Sequence, residues 1–542
     1  MIRSAQSPSI RLSPRRLFRL VIPRYPAFNI YSRVARATTA LGPVCVATAV
    51  SRLPGWEAEI IDENNYRSPG PVGPDGAPDH GALQALRPAD AVGFYGGLSS
   101  TAPRLYQLAE IYGRAGAFTV AGGHHVEALP GEALRSSVDV VVHGEGEKAI
   151  AELLAAWSAE RPLDEVAGIS ILKADREHRT DPRAPIEDFE NQPLPDFGLL
   201  RFARLSVYPV GRIRGCGMNC EFCAVKGRAR AASPERLMAQ ISLLAEGRGA
   251  REFFVVDDQF AQDRAETIRF CRMLGDYRRR LGLSFFVTVQ IRLDCARDEE
   301  MLEAMREAGI RNLAIGIESP IDEELRAMGK KLRVAEMLEH ARAYHRRGFL
   351  LHGMFIFGYP MREGSGFRMS GAERVRRFRD FIRRARLDTV QVMLPVPLPG
   401  TDLRARMEAA GRVFQLAEIG WEYYDGNFPL MVPDEPLTPE EMSRSALAIM
   451  GRFYRLLRVP GVAVHTLRFP LAMLPLVNLR ERFGRWYRRW RNAVVGSGGY
   501  FIMKAWRRQF REGPFRGKLA AATGKLAVSR GRDTASSSGA AR

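Results

Sequence analysis

Short apolar runs bounded by glycine or acidic residues recur along the first part of the chain: "RLFRLVIP", "EAEIIDE", "DAVGFYG", "FTVAGG" and "DVVVHGE". Runs of this kind suit strands buried on both faces. Helix-like stretches separate them, such as "PRLYQLAEIYGRAG", which closes on Gly116 as helices often do. The alternation predicts an α/β unit over 16–165, a doubly wound parallel sheet. Residues 166–205, with "DPRAPIEDFENQPLPD", have the composition of a linker. A second series follows over 206–400, with strand candidates "LSVYPVGRI", "EFFVVDD", "SFFVTVQ", "RNLAIGIE", "LLHGMFIFG" and "LDTVQVMLPV". Helical patterns such as "DEEMLEAMREAG" lie between them. Six strand-then-helix repeats predict a partial β/α barrel, whose chemistry gathers at the C-terminal strand ends. A helical extension is expected over 401–458 and a basic, aromatic segment over 459–542.

The strand ends of the first series are rich in small residues: Gly97 and Ser99 after one, Gly122 and Gly123 after another, and Gly144 with Glu145 after a third. Small residues let a bulky ligand approach the backbone. Glycine is common in loops, so no single position carries weight. Three strand ends in register point to a ligand site.

Composition narrows the class. The chain has 542 residues and six cysteines, too few for a disulfide scaffold. A reducing cytoplasm is expected, where clustered cysteines bind metal or do redox work. "SPRRLFRLVIPRYP" superficially resembles a twin-arginine export signal, but Arg19, Pro23, Arg24 and Pro26 interrupt the apolar stretch, and a first strand fits better. The formal charge is +19, and residues 452–542 hold 20 Lys/Arg against 3 Asp/Glu, so nearly all of it belongs to the C-terminal segment. There "GVAVHTLRFPLAMLPLVNLRERFGRWYRRWRN" is a poor transmembrane helix, broken by His465, Arg468, Pro470 and Pro475. Arginines mixed with Trp486, Tyr487 and Trp490 suit a helix lying on an anionic membrane surface. Nucleic acid is the weaker candidate for the same charge. The end, "SRGRDTASSSGAAR", is expected to be disordered.

Half of the cysteines, Cys216, Cys220 and Cys223, fall within "RGCGMNCEFC" on the loop after the first strand of the second series. Three thiolates from one loop suit three corners of a cubane iron–sulfur cluster. Zinc is the competitor, but a structural zinc wants four protein ligands, and no second C-x-x-C or His-rich pair lies nearby.

"CGMNCEFC" at this place resembles the signature of radical S-adenosylmethionine (radical SAM) enzymes. "VVDDQF" (255–260), "QIRLDCARDEEMLEAMREAGIRNLAIGIES" (290–319), "HGMFIFGYP" (352–360) and "PVPLPGT" (395–401) resemble further segments of the subgroup carrying a cobalamin domain. "AGGHH" and "VVHGEGE" resemble the N-terminal cobalamin-binding domain of that subgroup. The resemblance implies a [4Fe-4S] cluster on Cys216, Cys220 and Cys223, SAM on its open iron, bound cobalamin, and a low-potential electron donor of flavodoxin or ferredoxin type. It places Phe222 on the adenine side of the loop, where a core aromatic would also fit. Arg292 and Glu318, at strand ends, suit the carboxylate and ribose of SAM, and fit an inter-strand salt bridge equally well. Asp257 and Asp258 alternate in direction, so one of them, taken as Asp258, is the candidate polar contact. The mutase-type cobalt-ligating pattern D-x-H-x-x-G is absent, and the lower cobalt face stays unassigned. The implied reaction is methyl transfer to an unactivated carbon, one SAM giving the radical and another the methyl group. A lipid-like substrate is suggested only by the basic, aromatic segment. A radical cyclase or rearrangement enzyme of the same fold is the first alternative. A non-catalytic cobalamin or iron–sulfur sensor binding nucleic acid is the second.

Overall fold

In a computed structural model the protein is described at residues 15–455, 459–469, 473 and 479–525. The predicted tail from 529 onward, and Pro470 and Pro475, lie outside those residues.

Two parallel sheets carry the architecture. The first has strands β1 (Arg16–Ile22), β2 (Trp56–Asp62), β3 (Ala91–Tyr95), β4 (Phe118–Gly122), β5 (Val140–Val142), β6 (Ile169–Lys173) and β7 (Arg176–Arg179), in the order β2-β1-β3-β4-β5-β6-β7. Strands β1 to β5 pair in parallel, and β6 and β7 close the edge antiparallel. Helices α1 (Leu41–Ser51), α2 (Ala102–Arg114) and α3 (Gly146–Ser158) connect and cover the sheet. Two buried clusters flank it, one with Val44, Ala47 and Leu153 and the other with Leu105, Leu108 and Tyr112. That is the doubly wound arrangement expected, with β1 formed where the export signal was in question.

The stretch read as a linker is a linker only in part, since β6 and β7 fall inside 166–205. Their turn places Ala174 and Asp175 both at positive φ (47° and 60°). Positive φ at both central residues marks a tight hairpin turn, usually signalled by Asn-Gly. Here that signal is missing, and β7 is mostly exposed and polar.

The second sheet holds β8 (Val207–Val210), β11 (Glu252–Val255), β12 (Phe286–Gln290), β13 (Ile310–Glu318), β14 (Leu350–Ile356) and β15 (Thr389–Met393), all parallel, ordered β15-β14-β13-β12-β11-β8. A two-stranded hairpin of β9 (Ile213–Arg214) and β10 (Arg230–Ala231) rises from the end of β8. Every strand predicted in this half is present, in a partial β/α barrel.

The C-terminal region is part of the body rather than an appendage. After α4 (Asp402–Ala409) and α5 (Pro439–Phe453) come α6 (Val459–Leu467) and the long α7 (Leu479–Glu512). Ala493, Met503 and Trp506 of α7 are buried. Arg488 donates to the Phe349 carbonyl at 2.6 Å and Asn492 to Asp388 at 2.7 Å, just ahead of β14 and β15. Arginine-rich composition hid this apolar face. Among the described residues, no helix is long and apolar enough to cross a membrane.

Candidate functional site

The three-cysteine loop is fastened at its root. Gly215 stands at φ +80°, and a Cβ there would lie 2.7 Å from the Arg228 carbonyl oxygen, so the step from β9 into the loop needs glycine. The hairpin pairs Arg214 with Arg230 and draws the loop's ends together. The acids after β11 hold the same root. Asp257 is fully buried and its Oδ1 accepts from the Arg212 and Ile213 amides at 2.6 and 2.9 Å. Burial outweighs those bonds and raises its carboxyl to about 7. Asp258 Oδ2 accepts from the Gly215 amide at 2.6 Å. Both acids are thus engaged on loop backbone, Asp257 buried and Asp258 lining the cavity between the sheets.

The middle of the loop is clamped by Glu221, a residue the sequence reading passed over. Its carboxylate is 4% exposed and accepts from Tyr359 Oη at 2.6 Å and from Arg406 Nε and Nη2 at 2.6 and 3.0 Å. Burial opposes the charge, but the Arg406 and Tyr359 bonds prevail and hold the carboxyl below its ordinary range. The Glu221 carbonyl also accepts from the Leu403 amide at 3.0 Å. Phe222 packs edge-on against Tyr359, ring centres 6.1 Å apart, beside Ile356 and Leu403. That is the core-aromatic role.

Cys216, Cys220 and Cys223 are half-buried free thiols. Burial, then the charges of Glu318 and Cys216, push the Cys220 thiol up, with Lys330 pulling the other way. Burial and the two other loop cysteines raise Cys223, against the Val225 amide. The thiols thus lie within each other's field. Among the described residues, however, no group of three His, Cys, Asp or Glu could hold a single metal ion. Three thiols on one loop, each in the field of the others, suit three corners of an iron–sulfur cluster.

Around the loop, Glu318 ends β13 at φ +64°, a conformation rare outside glycine, where the β13–β14 register shifts. Its partner is Lys330, Nζ to Oε1 3.2 Å. Burial disfavours the Lys330 ammonium, but Glu318 and Cys220 more than compensate and raise its pKa. Arg292 lies just beyond β12, its guanidinium paired with Asp294 and its charge felt at Cys216. Glu318 and Arg292 do not pair with each other. Lys330, in "GKKLR", was missed because only the fold brings it to the cysteines.

A cavity of about 580 Å³ opens between the two sheets. One wall is α1 and α3 with the ends of β3, β4 and β5. The other is Gly211 to Gly215, Val225, Arg230 and Asp258. Gly97, Gly122, Gly123, Gly144 and Glu145 all line it. At Gly123 (φ +121°) a Cβ would lie 2.6 Å from the Gly97 amide nitrogen, so two strand-end loops touch backbone to backbone. Ser99 does not reach the cavity. It is buried and hydrogen-bonded to His125 Nδ1 at 3.0 Å. His125 in turn packs edge-on against Trp421, and His124 alone of the pair reaches the cavity. Glu145 lines the wall but is occupied: Arg214 and Arg230 each lie 2.9 Å from its carboxylate, and the Ile186 amide donates at 2.6 Å. Both arginines also stack over Phe189.

Residues 210–363 match the model of the Radical SAM superfamily. The class the barrel and its cysteine loop define is therefore that of radical SAM enzymes, which hold a [4Fe-4S] cluster on three thiolates and bind SAM. The chain is similar to an uncharacterized methyltransferase of Pyrococcus horikoshii, 28% identical over 348 residues, covering 62% of this chain and 72% of that one. It is similar also to the anaerobic magnesium-protoporphyrin IX monomethyl ester cyclase of Cereibacter sphaeroides, 27% identical over 262 residues, covering 45% and 42%. The chain thus spans less than half of that cyclase's length. In fold it is similar to the cobalamin-dependent S-adenosylmethionine radical enzyme OxsB solved with aqua-cobalamin, at TM-score 0.62 and 12% identity over 94% of this chain and 84% of that one. A glycine-lined sheet in front of a barrel that matches the Radical SAM superfamily is thus the fold this chain shares with that enzyme.

Proposed function

We propose that this protein methylates an unactivated carbon, using a cluster-bound SAM to start radical chemistry and cobalamin to carry the methyl group. The observation that carries the reading is the shared wall between the two sites. Gly215 and Asp258 line the glycine-rich cavity, and their 2.6 Å hydrogen bond is the root from which Cys216 follows. A radical source and a methyl carrier need that adjacency, because the substrate must reach both without leaving.

When bound, the cluster and SAM supply a 5′-deoxyadenosyl radical that abstracts hydrogen, and cobalamin supplies the methyl group. The chain's residues do the rest. Cys216, Cys220 and Cys223 offer three thiolates. Lys330 and Arg292 place positive charge beside them, against the negative charge of thiolates and of a SAM carboxylate. Glu318 is the acceptor suited to ribose hydroxyls, held by Lys330. Gly97, Gly122, Gly123 and Gly144 make room for the cobalamin, and Asp257, Asp258 and Glu221 keep the loop from shifting.

The test is an anaerobic assay of cluster-reconstituted protein with cobalamin, SAM and a low-potential reductant. The reading expects 5′-deoxyadenosine and S-adenosylhomocysteine together, with deoxyadenosine lost in Cys220→Ala. The similarity to a cyclase favours a second reading, ring formation without methyl transfer. Deoxyadenosine without S-adenosylhomocysteine would support radical chemistry, count against methyl transfer and leave this second reading standing.

A further inference from the structure

We propose that one face of α7, with the adjoining end of α6, docks the enzyme onto an anionic lipid bilayer. Phe483, Tyr487, Trp490, Val494 and Phe501 lie along α7 at steps of four, three, four and seven residues. At 3.6 residues per turn they all fall within about 40° of one line, a stripe about 27 Å long. Phe483 is 47% exposed, Tyr487 36%, Val494 38% and Phe501 53%. Across from it Val464 and Leu467 of α6, and Phe469 just beyond, are exposed as well, Leu467 to 77%.

Two features separate this stripe from scattered surface apolar residues. It is rigid, because the opposite face of α7 buries Met503 and Trp506 and is tied to the barrel through Arg488 and Asn492. Its aromatics also pack on one another, Phe483 stacked on Tyr487 with ring centres 6.1 Å apart, Tyr487 tilted against Trp490 at 6.4 Å, and Trp486 stacked on Trp490 at 6.0 Å. The indole N–H groups bond inward, Trp486 to the His465 carbonyl at 2.6 Å and Trp490 to Thr466 Oγ1 at 3.0 Å, so no unpaired donor enters lipid with the rings.

Charge selects the occupant. Exposed Lys504 lies to one side of the stripe, Arg508 continues its line beyond Phe501, Arg489 stands farther round α7 and Arg468 follows α6, in a segment with 20 basic and 3 acidic residues. Apolar centre with basic flanks is the pattern of an interfacial helix on anionic lipid. Two copies of so basic a face repel each other. A nucleic acid would want the cations at the centre, along the phosphates, and gains nothing from Leu467 or Val494. This inference does not rest on the methyl-transfer reading.

The test is co-sedimentation of the full chain, cluster-reconstituted, with vesicles of 7:3 phosphatidylcholine and phosphatidylglycerol, and with phosphatidylcholine alone. The expected result is binding to the first that weakens with salt, with a blue shift in tryptophan emission, and at least tenfold weaker binding to the second. Phe483→Ser with Tyr487→Ser and Phe501→Ser should cut binding at least tenfold. Arg489→Glu with Lys504→Glu should do the same while preserving the stripe. Both variants should still form deoxyadenosine, showing an intact fold. Wild type left in the supernatant overturns the proposal, as does equal binding by both variants. So does self-association through the stripe, or salt-sensitive RNA binding, without vesicle binding.

Discussion

Two parallel sheets face one cavity and furnish it with opposite materials. The first contributes absence: Gly97, Gly122, Gly123 and Gly144, backbone without side chains, against a flat wall. The second contributes side chains on a loop, three thiols whose positions depend on Asp257, Asp258, Glu221 and Arg406. A site of glycines is held by the strands themselves and needs little support. A site of side chains on a loop must be fastened from several sides, and buried Asp257 and Glu221 do that here. The comparison teaches that the two sites should fail differently. Filling damages one and loosening damages the other.

The largest effect is expected from Cys220→Ala, which removes one of three ligands. Iron content and the cluster's visible absorbance should fall to background and deoxyadenosine formation with them, while cobalamin binding persists. Loss of both bindings together would mean that the two sites are one folding unit and would break the comparison. The converse variant is Gly122→Val. A Cβ at Gly122 meets only Val142, at 3.7 Å, so the fold accommodates it while the new side chain enters the cavity. Cobalamin affinity should drop at least tenfold by spectral titration, with the cluster and its absorbance unchanged.

Arg406→Ala should sit between these. It leaves the Glu221 carboxylate buried with Tyr359 and the more distant Arg362, 3.5 Å away. Breaking a buried pair costs about 3 kcal/mol or more. The expected outcome is a lower melting temperature and a cluster lost faster in air, with cobalamin affinity preserved. A cluster as durable as in the wild type would show that the thiolates alone fix the loop.

Legibility in the sequence follows the same division. The cysteines were legible because three rare residues stand within eight positions, and the glycines because small residues recur at strand ends in register. Both are local signals. Lys330, Glu221 and Arg406 were not legible, since Arg406 reaches Glu221 across 185 residues and nothing in either neighbourhood announces it. Glu145 and Ser99 show the reverse error. Each has the right place in sequence, but Glu145 is held by arginines and Ser99 faces His125. Position at a strand end predicts proximity to a ligand; what the side chain does there depends on neighbours contributed from elsewhere in the chain.

The smallest and sharpest prediction concerns two adjacent carboxylates at the end of β2. Asp62 is buried among neutral donors, Thr39 Oγ1 at 2.7 Å and Asn65 Nδ2 at 2.8 Å, and burial raises its carboxyl to about 6. Glu63, next to it, is buried too, but His80 and Arg104 (2.7 Å) outweigh that burial and lower it to about 2. The signs are opposite. Folded Asp62 binds more protons than the unfolded chain between about pH 4 and 6, so its stabilisation is complete below about 4 and lost as pH rises through about 6. Folded Glu63 binds fewer protons, so its stabilisation is complete above about pH 4.5 and lost as pH falls toward about 2. Each limb is worth on the order of 3 kcal/mol. Melting temperature followed against pH should therefore diverge by variant: Asp62→Asn should gain on wild type as pH rises from 4 to 7, and Glu63→Gln should lose most at neutral pH and converge with wild type in acid. Parallel curves for all three proteins would mean that neither carboxylate titrates as its neighbours dictate. Divergence would show that the cations beside Glu63, and burial without a cation at Asp62, decide the sign one residue apart.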